Sequence, residues 1–186
     1  MRPPRPVDRK VRRTLSEATS GIHERLHRAA PFGAIAAKRL DLDGYRKLLG
    51  KIAAFHFAVG PALKLSAARR GLLSQDLDAV DGASPPPIRW DPPETPAGRL
   101  GCAYVVEGST LGGKILFRQL DYLFGAATLG RSFFRGTPAD GARWGALCVA
   151  LETHGQEPEA LDAMIAGARD TFALFERLIE PVPAHG

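Results

Sequence analysis

The sequence predicts an all-α, single-domain protein. Apolar residues recur at three- and four-residue spacing from one end to the other, strand-like alternation is almost absent, and the 186 residues show neither an internal repeat nor an obvious second domain.

The first helix is expected from about Val11 to Ala29, with Leu15, Ala18, Thr19, Ile22 and Leu26 on one face and Pro31 beyond its end. A second begins near Asp41 and carries Tyr45, Leu48, Leu49, Ile52, Phe55, Val59 and Leu63, with Pro61 expected to kink or divide it. A short amphipathic piece, Gly71 to Val80, precedes a breaker run from Asp81 to Pro96, whose prolines at 85, 86, 87, 92, 93 and 96 exclude a regular helix. Gly98 to about Phe124 reads as one long helix, followed by a loop from Gly125 to Gly141. A helix with Trp144, Leu147, Cys148 and Leu151 comes next, and the last runs from about Pro158 to Glu180. The domain is thus 11–180, between a basic, Pro-rich tail at 1–10 and a C-terminal tail at 181–186.

Composition excludes several classes. Cys102 and Cys148 lie far apart without C-x-x-C spacing, which argues against disulfide frameworks and zinc fingers. About 18 uninterrupted apolar residues appear nowhere, and the basic start leads into no apolar segment, so a cytoplasmic protein without a membrane span is expected. The formal charge of +5 resides in Arg2, Arg5, Arg9, Lys10, Arg12 and Arg13 against Asp8. Charge confined to a terminus reads as a solvated tail, and no nucleic-acid-binding signature accompanies it.

Two features invite chemistry. Within Tyr104-Val-Val-Glu-Gly-Ser-Thr-Leu-Gly-Gly-Lys-Ile-Leu stand Gly108, Gly112 and Gly113. Each interior glycine costs a helix about 1 kcal/mol relative to alanine, so something must come close to this backbone. Gly108 and Gly112 share a face, where a flat ligand or a closely packed helix would fit. The second feature is the histidines, since imidazole is the plausible metal ligand in a helical chain without cysteine clusters. His23 sits near the buried edge of the first helix, with His27 one turn on. His56 reads as structural, and His154 and His185 carry no signal. No zinc-protease motif, nucleophile elbow, phosphate loop or dinucleotide fingerprint is present, and Ser109 does not read as a catalytic serine.

Together these segments resemble the heme oxygenase family, especially its bacterial biliverdin-producing branch associated with bacteriophytochromes. Leu15-Ser-Glu-Ala-Thr-Ser-Gly-Ile-His23-Glu-Arg-Leu is similar to the family's proximal helix, and Tyr104 to Ile115 to its kinked distal helix. Phe133-Phe134, Arg143-Trp144 and Thr171-Phe172 add weaker agreement. The resemblance implies a helical bundle with heme between these two helices. His23 would be the proximal iron ligand, and Gly108, Gly112 and Gly113 would let the distal backbone approach the bound oxygen. Tyr104 would lie near a heme propionate and Phe172 at the heme pocket. Arg13, placed before His23, is a further candidate for propionate pairing. The implied reaction opens heme to biliverdin with release of iron and carbon monoxide, using O2 and electrons from a ferredoxin, flavodoxin or reductase, and a phytochrome is a possible acceptor of the biliverdin. The alternative is a non-catalytic heme carrier or sensor of the same fold. Two positions depart from the family pattern: Ser109 stands where many members have an aspartate that organises distal water, and His27 where a carboxylate often accepts from the proximal imidazole.

Overall fold

A computed structural model describes residues 10–179. Of the tail expected at 1–10, residues 1–9 lie outside the described residues, while Lys10 opens the first helix; the tail expected at 181–186, with His185, also lies outside them, as does Glu180. Nine helices are found among the described residues: α1 (Lys10–Arg28), α2 (Ala30–Ala36), α3 (Leu42–Ala62), α4 (Ala67–Ala79), α5 (Pro96–Gln119), α6 (Asp121–Phe124), α7 (Ser132–Arg135), α8 (Asp140–His154) and α9 (Pro158–Ile179). No strand occurs among these residues, so the all-α expectation is met.

The long helices fall where apolar periodicity placed them, and their ends follow local polar chemistry. Asp41 caps α3 by accepting from the Gly44 amide at 2.8 Å, and Thr95 caps α5 by accepting from Gly98 at 3.1 Å, with Pro96 in the first turn where no amide is needed. The start of α1 is capped from a distance: the Glu152 carboxylate on α8 accepts from the amides of Val11 and Arg12 at 2.9 and 3.2 Å.

Several boundaries differ from expectation. Pro31 lies beyond the end of α1, as expected, but within the first turn of a further short helix, α2, where a residue has no intrahelical amide bond to lose. Helix α3 is not divided at Pro61; it runs on to Ala62, where the Leu63 and Leu65 amides close it on Val59 and Gly60. Helix α4 starts at Ala67 and not at Gly71, since Ser66 accepts from the Arg69 amide at 3.3 Å. The helix expected over 98–124 breaks at Leu120 into α5 and α6, while its glycines stay within α5. Inside the loop expected over 125–141 lies α7, held by Asp76 of α4, whose carboxylate accepts from Gly130, Ser132 and Phe133 amides and the Ser132 hydroxyl at 2.7–3.0 Å.

Helix α9 packs on α5, α1 and α3, while α5 also meets α7 and α8, and α4 joins α3 to α7. The α5–α9 crossing is very close. A Cβ on Gly101 would overlap the Met164 carbonyl and one on Gly167 would overlap that of Gly98, so only glycine lets these backbones approach. Around the crossing, Val11, Leu15, Val105, Leu151, Met164 and Ala168 form one apolar cluster. A second joins α3, α4 and α7 through residues such as Leu49, Leu73 and Phe133. Fully burying a side chain of Leu49's kind contributes roughly 1.5–3 kcal/mol. Ile88 and Trp90 of the proline run pack on a third cluster with Phe55, Val59, Val106 and Leu174. No described helix is long and apolar enough to cross a membrane.

Candidate heme site

On α1, His23 is exposed, yet its ring meets Phe172 of α9 edge-on at 6.0 Å and His27 at 4.5 Å between centroids. Partial burial lowers the His23 pKa, His27 lowers it further, and Glu24 opposes them. The imidazole is therefore neutral at physiological pH, with a lone pair for a metal.

Tyr104 on α5 is half-buried, its phenol pushed up by burial and partly relieved by a hydrogen bond with Ser16 of α1. The side chain therefore lies against the helix that carries His23. Its ring also lies 5.9 Å from that of Trp144 on α8.

The three distal glycines do different things. At Gly108 a Cβ would stand 3.4 Å from the Trp144 indole, in ordinary contact. At Gly113 it would stand 3.1 Å from the Phe134 carbonyl, so this glycine serves the approach of α7. At Gly112 nothing lies within 4 Å of the position, and Gly112 is exposed. Its neighbours Leu111 and Ile115 are 56% and 53% exposed. Being four apart on a helix, they share a side, which leaves an open apolar strip with bare backbone beside it.

Ser109 is exposed, and its hydroxyl donates to the Val106 carbonyl at 2.7 Å. The proton is committed to the helix, and the oxygen lone pairs face solvent as acceptors. Arg13 is exposed and makes a long ion pair to Glu17 at 3.8 Å. Its neighbour Arg12 is instead tied to Glu152 at 3.2 Å and to the Cys148 sulfur at 3.3 Å.

His23 and Phe172 are thus brought together, and Tyr104 is joined to α1 through Ser16. Gly108, Ser109, Gly112 and Gly113 share α5 but face four different surroundings. Sequence reasoning missed the role of Trp144 against Gly108, and it missed a buried charged cluster behind α5. There Glu107 faces Arg143, and Asp140 faces Arg143 and Arg69. The available signal was a carboxylate directly after the apolar pair Val105-Val106.

No cluster of three or more metal-ligating side chains exists among the described residues. A flat apolar cofactor that needs one imidazole suits what is present: a neutral accessible His23, the open face of Gly112 and the uncovered Leu111 and Ile115.

No family model matches the chain. The chain is similar to a heme oxygenase of Xanthomonas campestris pv. campestris, 35% identical over 96 residues, which are 52% of this chain and 55% of that protein. The matched stretch therefore spans about half the length of that relative. Among solved structures, the NO- and CO-bound heme oxygenase of Neisseria meningitidis superposes with a TM-score of 0.72 at 23% identity, over 91% of this chain and 89% of that one. A partial sequence likeness and a nearly complete superposition thus point the same way: the chain has the heme oxygenase fold.

Proposed function

We propose that this protein is a heme oxygenase, with 11–180 as the catalytic unit, which converts heme to biliverdin, iron and carbon monoxide using O2 and external electrons. The observation that carries the reading is the superposition on a heme oxygenase over 91% of the chain, with which an accessible His23 of lowered pKa on α1 and an uncovered Gly112 on α5 agree. Heme, when bound, supplies both the iron that activates oxygen and the carbon skeleton that is oxidised.

His23 would hold the heme iron, its lowered pKa favouring the unprotonated nitrogen that ligation needs. Phe172, edge-on to that imidazole, limits its rotation. Gly112, with no side chain and nothing within 4 Å, would leave room for the macrocycle at the helix backbone, and the exposed Leu111 and Ile115 would shield it from water. Tyr104 and Arg13 would receive the propionates and so orient the ring. Ser109 accepts a hydrogen bond from distal water through its free lone pairs. The protein acts in the cytoplasm, consistent with the lack of a membrane-crossing helix among the described residues. Its electrons come from a ferredoxin, flavodoxin or reductase, and a phytochrome is the fitting acceptor for the biliverdin.

The test is to load the protein with hemin, reduce it anaerobically, admit oxygen with a ferredoxin–reductase couple, and chromatograph the products. Biliverdin is expected. A Soret band that persists through repeated reduction and oxygenation would instead identify a heme carrier or sensor.

A further inference from the structure

Immediately behind the distal helix lies a compact group of two arginines and two carboxylates. Arg69 comes from α4, Glu107 from α5, and Asp140 and Arg143 from α8. Arg69, Glu107 and Asp140 are 5%, 5% and 4% exposed. The formal charges cancel, but the geometry is incomplete. Arg143 reaches Asp140 at 2.8 Å, whereas its nearest approach to Glu107 is 3.6 Å, and Arg69 stands 3.9 Å from Asp140. Three buried side-chain atoms have no hydrogen-bond partner among the described residues: Arg69 Nε, Glu107 Oε2 and Arg143 Nε. All three belong to this one cluster.

A buried carboxylate oxygen and two buried N–H groups left unpaired would cost several kcal/mol. Two N–H donors and one acceptor match the needs of a water molecule, which accepts two hydrogen bonds and donates to a carboxylate. At 3.6 and 3.9 Å the Arg143–Glu107 and Arg69–Asp140 pairs are too long for direct hydrogen bonds, so neither satisfies the three unpaired atoms.

We infer that this cluster holds ordered water against the back of the distal helix, with the Glu107 carboxylate as the acceptor that anchors it. Glu107 directly precedes Gly108, and the Thr110 hydroxyl donates to the Glu107 carbonyl at 2.8 Å, so the anchored water fixes the helix segment that carries Gly108 and Ser109. Glu107 is thereby a positioning residue, acting on the distal face through the helix and the water and not by touching heme. Its influence on bound heme rests on the function proposed above; the water site itself does not.

The apo-protein carries the first test. Long-lived internal waters are counted by oxygen-17 magnetic relaxation dispersion in wild type, Glu107→Gln and Glu107→Leu, with Arg143→Leu as a second route that spares α5. Wild type and Glu107→Gln are expected to agree, because the amide oxygen still accepts, while Glu107→Leu and Arg143→Leu each lose about one water. Equal counts in all four proteins, or a loss in Glu107→Gln as large as in Glu107→Leu, would overturn the inference. The second test follows the pH midpoint of the ferric Soret shift in hemin-loaded protein; Asp140, Arg69, Arg143 and, from α3, His56 are the other ionisable groups around the cluster. The midpoint is expected to move in Glu107→Leu and to return toward wild type in Glu107→Gln. An unmoved midpoint would overturn the link to the distal face. Failure of wild type to bind hemin would count against the heme oxygenase reading and leave the water count standing.

Discussion

The imidazoles of His23 and His27 stand one helical turn apart with centroids 4.5 Å apart and planes at 71°, so that the edge of one ring meets the face of the other. Only His23 also touches Phe172 of α9, and this contact distinguishes two otherwise similar exposed histidines.

Replacing His23 by alanine is therefore expected to abolish axial ligation and turnover while leaving the fold intact, since an exposed imidazole contributes little to the core. His27→Ala should keep the ligand and change only its surroundings. Resonance Raman detection of the iron–histidine stretch in the hemin-loaded, reduced variants checks this. Loss of the band in the His27 variant alone would reverse the assignment.

The glycines of α5 separate ligand space from packing space. Gly112→Leu adds a side chain in an open position with better helix propensity, so the apo-protein should be as stable as wild type or more so by up to about 1 kcal/mol, yet heme binding should fall sharply. Gly101→Leu should do the opposite kind of damage, forcing α5 and α9 apart and costing about 3 kcal/mol or more. Thermal melting of the apo-proteins and hemin titration of those that fold distinguish the two. A Gly112 variant with unimpaired heme binding would show that this face does not meet the macrocycle.

Ser109→Ala is expected to slow heme cleavage several-fold with little change in heme affinity, because only a water acceptor is lost while the helix keeps its backbone bonds. Ser109→Asp should also retain heme, its carboxylate being exposed enough to stay charged. The measurement is the rate of biliverdin formation under a fixed electron supply. Equal rates for wild type and Ser109→Ala would remove the side chain from oxygen activation and leave the distal water to the backbone and its buried supports.

Stability should carry the signature of His56. This residue is buried against Phe133, with ring centroids 4.8 Å apart, and burial, aided by Arg69 and Arg70, pushes its pKa down to about 3. In the unfolded chain it titrates near 6.5, so between these values the unfolded state binds the extra proton and stability falls as the pH is lowered. Above 6.5 the group adds no pH dependence. The slope in the acid window is about 1.4 kcal/mol per pH unit for one proton. Denaturant unfolding of the apo-protein from pH 7 to 4.5 should show it, and His56→Leu should reduce the slope by that amount. An unchanged slope in the variant would mean that His56 is protonated in the fold.

Local pattern was enough to read the long helices, the proline loop and the glycine segment of α5, while the resemblance to a known family singled out His23 as the candidate ligand. Apolar periodicity, breaker residues and the penalty of interior glycines are properties of neighbours along the chain. Partners distant in sequence decided the rest. Gly108, Gly112 and Gly113 look alike in sequence, but Trp144, open space and the Phe134 carbonyl give them different roles. The glycines at the α5–α9 crossing proved to be Gly101 and Gly167, whose partners lie more than sixty positions away along the chain. Arg12 and Arg13 are adjacent, yet Glu152 and Cys148 occupy the first and leave the second exposed. Helix α7 exists because Asp76 of α4 collects its amides. Glu107 could be seen as a carboxylate within an apolar run, but its burial opposite Arg143 required α8 to fold back across α5. Hydrogen bonds and charges act over a few ångströms in space whatever their separation in the chain, so these pairings were decided only when the helices packed.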